Sequence, residues 1–379
     1  MLNPSRLKAA RKLRGWTITK LAQESGLSTK SLSSYENDHQ DPGQSTLRRL
    51  AEVLKVAPDF LTADDLDEIP LDAVSFRALS KMTARTRDRG LASARVALLL
   101  DSWISNRFDL PKHDVPSLTG RDPEIAAQEI RARWALGEEP IRNVIHLLEA
   151  HGIRVFSLTH DNRDLDAFCT TWHGQPYIFL GTGKSAERSR FNAAHELGHL
   201  VLHGEDHIPH GQTSEYEANR FAAAFLMPPS SVLAQGLRNA PADRLLLAKR
   251  KWGVAAMAIA HRANELGLMS EWAYRTACVD LSRMGYRRGE PGGLPRESSQ
   301  LLTKVLQQLR TAGSGVRDIA DDLGVAPDEV RAHIFGLAPT GITGSGSAPS
   351  SLPRPALTLH QSDDHLRRSS TDGARTRPT

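Results

Sequence analysis

The stretch FNAAHELGHLVLH, residues 191–203, sets His195, His199 and His203 four residues apart, with Glu196 directly after the first. Four residues is close to one helical turn, so His195 and His199 share a face and can present two imidazole nitrogens to one Zn²⁺. Glu196 is rotated about 100° from His195, which puts its carboxylate beside such an ion, in reach of a water proton. His203 lies about 12 Å along the axis from His195, too far to share an ion with both other histidines. The longer metzincin pattern also fails, because Glu205 stands where its third histidine belongs. The remaining ligand must come from another element. A helix that turns two imidazoles inward therefore requires a partner packed against it.

SEYEANRFAAAF, residues 214–225, is the candidate partner. Glu215 and Glu217 are about 200° apart on a helix, so at most one faces the ion. Asn219 stands one turn after Glu215, where it can hold the second nitrogen of a ligand histidine. Glu215 is the preferred third ligand and Glu217 the runner-up. His207, His210 and Tyr216 are candidates for a donor to a developing oxyanion.

At 379 residues, with 40% hydrophobic and 24% charged side chains, the chain can bury a core and is expected to divide into two or three units. The net charge of +4 does not announce a nucleic-acid partner by itself. Residues 1–55, however, carry ten basic side chains against five acidic ones, an excess of +5 (10 − 5). Cys169 and Cys278 are too few for a disulfide framework or a paired-cysteine zinc site, which fits a reducing cytoplasm. Apolar runs such as VAAMAIA, residues 254–260, are too short to span a bilayer, so no membrane association is expected.

Short helices are punctuated legibly over the first sixty residues. Thr17 precedes ITKLAQES and Ser28 precedes TKSLSSYE as N-caps, Gly26 follows the first of these, and Pro42 and Gly43 precede STLRRLAEVLK. LAQESGLSTKSL has the small residue, glycine bend and apolar anchors of a helix-turn-helix: Ala22, Gly26, and Leu21, Leu27 and Leu32. Thr29, Lys30, Ser33 and Ser34 then face out from the recognition helix towards base edges, and Arg6, Lys12 and Lys30 towards phosphates of double-stranded DNA. LKAARKLRGWTITKLAQESGLSTKSLSSYEN and the following DPGQSTLRRLAEVLKV resemble the Cro/C1-type (XRE) helix-turn-helix family, with Ile18 where a glutamine often begins the second helix.

RFNAAHELGHLVLH followed by SEYEANRFAAAFLMP resembles the ImmA/IrrE family of zinc metallopeptidases over about residues 150–285. That resemblance implies a compact gluzincin-type fold, Zn²⁺ on His195, His199 and a glutamate of the EYEAN helix, and Glu196 as general base. It also implies a cytoplasmic protease that cuts a helix-turn-helix repressor and relieves repression, a role in transcription regulation and stress response. The alternative is a DNA-binding regulator whose peptidase-like domain senses metal or ligand without turnover. A homodimer is compatible with either.

The expected fold is α+β and mostly helical. A five-helix helix-turn-helix domain covers 1–62, and an acidic linker and helical connector 63–149. The peptidase domain, with a small sheet, covers 150–290. A small helical piece follows at 291–336, and a disordered tail at 337–379. In the helical piece, IADDLGVAPDEV repeats the spacing of LAQESGLSTKSL, with Ala320 and Gly324 matching Ala22 and Gly26. Asp321, Asp322, Asp328 and Glu329 would repel phosphate, so packing is the expected role of this second unit. DAFCTTWHGQPYIFL is expected as a hairpin whose edge could pair with an extended peptide, and Cys169 as a buried small residue.

Overall fold

The computed structural model describes residues 1–66, 69, 83–158, 165–181, 183–204, 211–334 and 336–337. Part of the acidic linker and all of the expected tail beyond residue 337 lie outside the described residues. Leu337 itself is buried, and its carbonyl accepts from Ser299 N–H.

Five helices make the N-terminal unit: α1 (Pro4–Leu13), α2 (Ile18–Ser25), α3 (Thr29–Glu36), α4 (Gln44–Leu54) and α5 (Pro58–Thr62). Their starts follow the predicted chemistry, since the Thr17 and Ser28 side chains accept from the N–H groups of Lys20 and Ser31. Gly26 ends α2 at φ 65°, a left-handed conformation that L side chains resist. Leu21 and Leu32 are fully buried between the helices, with Leu27 partly covered beside them.

Helix α6 (Ala84–Ser105) follows, then α7 (Pro123–Arg133) and α8 (Val144–Ala150). In the stretch expected as a connector, α7 packs on α10 and α8 against α9, so both help to frame the helices described next. Strands β1 (Arg154–Leu158), β2 (Ala167–Trp172) and β3 (Gln175–Gly181) form a sheet in the order β1-β3-β2. β1 runs parallel to β3 and β2 antiparallel to it, with Phe168 opposite Phe179. The two-residue turn of the β2–β3 hairpin has φ 48° at His173 and φ 74° at Gly174, the pairing that suits strand twist.

On this sheet lies α9 (Ala186–Leu202), with α10 (Gln212–Leu226) packed on it. The glycine of HELGH explains their closeness. A Cβ on Gly198 would come within 3.2 Å of the Ala218 Cα and 3.1 Å of the Phe221 ring, so only a bare backbone lets α10 approach. Phe221 and Phe225 are fully buried there, each worth about 1.5–3 kcal/mol of apolar burial.

The remaining helices are α11 (Pro229–Leu233), α12 (Ala242–Trp252), α13 (Ala256–Glu265), α14 (Glu271–Arg283), α15 (Gln300–Thr311), α16 (Val316–Leu323) and α17 (Pro327–Ile334). Glu149 at the end of α8 accepts from Gln300 N–H at 2.9 Å and Leu301 N–H at 3.1 Å, and so caps α15. Glu297 reciprocates by accepting from Val144 N–H at 2.9 Å at the start of α8, while also pairing with Arg190 of α9.

The last two helices are docked on both sides. Buried His333 meets the Ser157 carbonyl of β1 at 3.2 Å, and Trp103 Nε1 of α6 donates to Asp322 at 2.8 Å. Towards the N-terminal unit, Arg14 pairs with Glu329 at 2.5 Å, Ala57 N–H donates to the Gly324 carbonyl at 2.8 Å, and Val56 bridges Val325.

Candidate metal centre and DNA-facing helix

His195 and His199 are buried on α9 with their Nε2 atoms 3.1 Å apart, turned to one point. Glu215, in the first turn of α10, completes the group: its carboxylate oxygens lie 3.5 Å from His195 Nε2 and 3.4 Å from His199 Nε2. One ligand atom from each of the three falls within 4.8 Å of the others. Two imidazole nitrogens and one carboxylate are the donor set of a catalytic zinc site that keeps a position open for water or substrate, so the residues fit such an ion. Glu217 does not join them.

Neighbouring groups orient the two imidazoles. His195 Nδ1 lies 3.1 Å from Asn219 Oδ1, so an N–H there leaves the Nε2 lone pair free for an ion. His199 Nδ1 lies 2.9 Å from His203 Nδ1, and His203 Nε2 lies 3.0 Å from Glu217. The consistent proton arrangement is a relay: His199 donates to His203, and His203 donates to the Glu217 carboxylate. The third histidine of the stretch and the second glutamate of EYEAN thus meet each other one layer behind the centre.

Glu196 is buried beside His195 and opens into a cavity of about 1090 Å³. This cavity is walled by Asn192 of α9, Asn219 of α10, Ala167 at the start of β2, Thr83 and Thr86 at the start of α6, and Met257 of α13. Residues 286–290 line it as well. The walls from α6 and residues 286–290 escaped sequence reasoning, because neither carries a motif. The only available signal was the pair of adjacent arginines in a chain-breaking segment. Tyr216 is 60% exposed and does not line the cavity, while His207 and His210 lie outside the described residues.

In the N-terminal unit, Thr29 and Lys30 are exposed in the first turn of α3, and Ser33 and Ser34 are partly exposed further along. Ser33 Oγ accepts from the Asn37 side chain at 3.3 Å. Arg6 departs from the outward placement expected of it. It is buried, its Nε donates to the Asp64 carbonyl at 2.7 Å, and its guanidinium sits over the Phe60 ring. Burial, the largest cause, lowers its pKa. The cation is spent on closing the domain against its own linker, which leaves it no reach to phosphate. Lys12 pairs with Asp88 of α6 at 3.1 Å. Sequence reasoning also missed the buried pair of Arg11 with Glu36, whose two contacts of 2.6 and 2.7 Å tie α1 to the end of α3.

The fold and the site define a helix-turn-helix DNA-binding unit joined to a metallopeptidase-like domain. Residues 7–61 match the Helix-turn-helix family, and residues 148–264 match the peptidase family described as the IrrE N-terminal-like domain. Over 60 residues, 16% of its length, the chain is 37% identical to the HTH-type transcriptional regulator ImmR of Bacillus subtilis (strain 168). The match spans 47% of that regulator, about half of its own length. The chain thus joins an XRE-type helix-turn-helix to an ImmA/IrrE-type domain. No helix among the described residues is long and apolar enough to cross a membrane.

Proposed function

We propose that this chain is a cytoplasmic transcriptional regulator with zinc-dependent endopeptidase activity of the gluzincin kind, and that it cuts a helix-turn-helix repressor to relieve repression. The observation that carries the reading is the convergence of His195, His199 and Glu215 on one point, with Glu196 beside it at the wall of a large cavity. Zn²⁺ held there supplies a Lewis acid that polarises the scissile carbonyl and acidifies water.

The chain's own groups do the rest. Glu196 accepts a proton from the attacking water as the new C–O bond forms, then delivers it to the amide nitrogen as the C–N bond breaks. Asn219 and the His203–Glu217 pair hold the ligand imidazoles in the tautomer that faces the ion. Ala167 brings the start of β2 to the cavity wall, so a peptide laid along that strand passes the ligands in extended form. Thr29, Lys30, Ser33 and Ser34 of α3 read base edges, bringing the peptidase to double-stranded DNA.

Metal analysis of the purified chain should find one zinc per chain, and Glu196→Gln should keep it. On co-expression with helix-turn-helix repressors, the parent should generate a new fragment and Glu196→Gln should generate none. Equal cutting by the two would remove Glu196 from the mechanism. Zinc retention with no cutting of any repressor by the parent would favour the alternative, a regulator that senses metal without turnover.

A further inference from the structure

Residues 286–290 take no part in the ligand set, yet they border the same cavity as His195 and Glu196. They are fastened from beneath. Glu290 pairs with buried Lys249 at 3.3 Å and accepts from Ala256 N–H at 3.3 Å. Lys249 also pairs with Glu187 at 2.6 Å, and Glu187 accepts from Leu294 N–H at 3.1 Å. One buried ammonium thus holds the segment through two carboxylates, and Arg287 and Arg288 have a defined station on the cavity wall.

Other charges around the cavity are matched. Lys184 and Arg188 both pair with Asp166, at 3.4 and 2.6 Å, and Glu290 is held by Lys249. Arg287 and Arg288 are exposed, and their guanidinium groups make no ion pair or hydrogen bond with any described residue. Thr83 and Thr86 turn the N-terminal end of the 22-residue α6 to the same space, adding its partial positive charge.

We infer that Arg287 and Arg288 form a subsite for acidic side chains of an extended peptide, which makes an acidic segment the feature by which a protein substrate is chosen. The inference rests on the peptidase reading for its consequence and on the cavity for its chemistry. Guanidinium forks match carboxylates in geometry as well as charge. A nucleic-acid backbone is the poorer occupant, because the Glu196 carboxylate stands in the same cavity and repels a continuous row of phosphates. A peptide can alternate residue types past it. Of the chain's own acidic run, Asp64 and Asp65 are engaged elsewhere, since Asp65 accepts from Ser5 at 2.7 Å and the Asp64 carbonyl from Arg6, both on α1.

The probe is the fluorescein-labelled decapeptide TADDLDEIPL, the sequence of that run, beside its Asn/Gln counterpart. Binding is followed by anisotropy to the full zinc-loaded chain carrying Glu196→Gln, so that nothing is consumed. The acidic peptide should bind about fivefold tighter at low salt, with the difference shrinking towards 0.5 M salt, roughly what two partly exposed ion pairs supply. Arg287→Gln with Arg288→Gln should bring the ratio to about one, and glutamate at both positions should invert it. Equal affinities for the two peptides, no binding of either, or a ratio unmoved by the double variant would overturn the inference. So would a double variant that loses duplex affinity while keeping the peptide ratio, which would assign the arginines to DNA. Acidic preference in binding without hydrolysis by the Glu196 parent removes the peptidase reading and leaves the subsite, whereas hydrolysis without that preference does the reverse.

Discussion

The chain contains the same short helical grammar twice, with opposite outcomes. LAQESGLSTKSL and IADDLGVAPDEV both end a helix on a left-handed glycine, Gly26 at φ 65° and Gly324 at φ 67°, and both start a second helix three residues on. In the first copy the second helix turns Thr29 and Lys30 to solvent. In the second, α17 buries Glu329, Val330, His333 and Ile334 against β1, α6 and the N-terminal unit. Local spacing determines the bend; the side chains on the second helix determine whether it stays open to solvent or docks on protein.

The largest expected effect lies on the solvent-facing copy. Replacing Thr29, Lys30, Ser33 and Ser34 together by alanine should weaken a duplex selected by the parent by at least about 100-fold, given roughly 1–3 kcal/mol per good base contact. Arg331→Ala, exposed on α17, should stay within about twofold in the same titration. Comparable losses from both would erase the distinction between the copies.

The two glycines sharpen it next. A Cβ on Gly324 would meet the Phe60 Cβ at 3.0 Å and its backbone nitrogen at 3.3 Å, which cannot swing away. On Gly26 the nearest atom, at 2.6 Å, is the tip of the flexible Arg49 side chain. Gly324→Ala should therefore cost about 2–4 kcal/mol in urea unfolding, adding overpacking to the left-handed penalty, and Gly26→Ala about 1 kcal/mol. The reverse order would show that the second copy is loosely seated.

A smaller effect concerns how the C-terminal helices α15 and α17 are attached. Burial, the largest cause, raises Glu149 from 4.5 to about 7, against the hydrogen bonds from Ser299, Gln300 and Leu301. Because the folded carboxyl keeps its proton where the unfolded one releases it, its contribution to stability is full below about pH 4.5 and is lost as pH rises to about 7. Buried His333 acts in the other direction. Its pKa is lowered, first by burial, so its contribution is present above about pH 6.5, the unfolded value, and is lost as pH falls below it. Glu149→Gln should flatten the decline of the urea midpoint between pH 4.5 and 7; an unchanged slope would place the titration elsewhere.

The smallest expected effect is the coupling across the junction. A double-mutant cycle on Arg14→Ala and Glu329→Gln should return about 1 kcal/mol for this partly buried pair, and a value near zero would mean the contact only decorates the bridge between Val56 and Val325.

Much of this architecture was legible because it is local. Caps at Thr17 and Ser28, the bend at Gly26, and the shared face of His195 and His199 follow from side-chain chemistry and helical period. Glu215, rather than Glu217, approaches both imidazoles, and Asn219 stands behind one of them, as a one-turn offset allows. Arg6 was misread because a basic side chain in an amphipathic helix gives no sign of the carbonyl it will cap 58 residues away. The places of α7 and α8 beside the helices that carry His195, His199 and Glu215, and of residues 286–290 along the cavity, depend on contacts between distant parts of the chain, on which periodicity is silent.

The pairing of Arg14 with Glu329 joins residues 315 positions apart. At about 5–20 residues per second, the ribosome needs roughly 15–60 s to make that intervening chain after the N-terminal helices have emerged. During that interval the DNA-reading unit exists without its seat, free to search and bind by itself. The mature arrangement therefore begins only once α17 has been made, and a product stopped before it would carry an N-terminal unit without the contacts at Arg14, Val56 and Ala57.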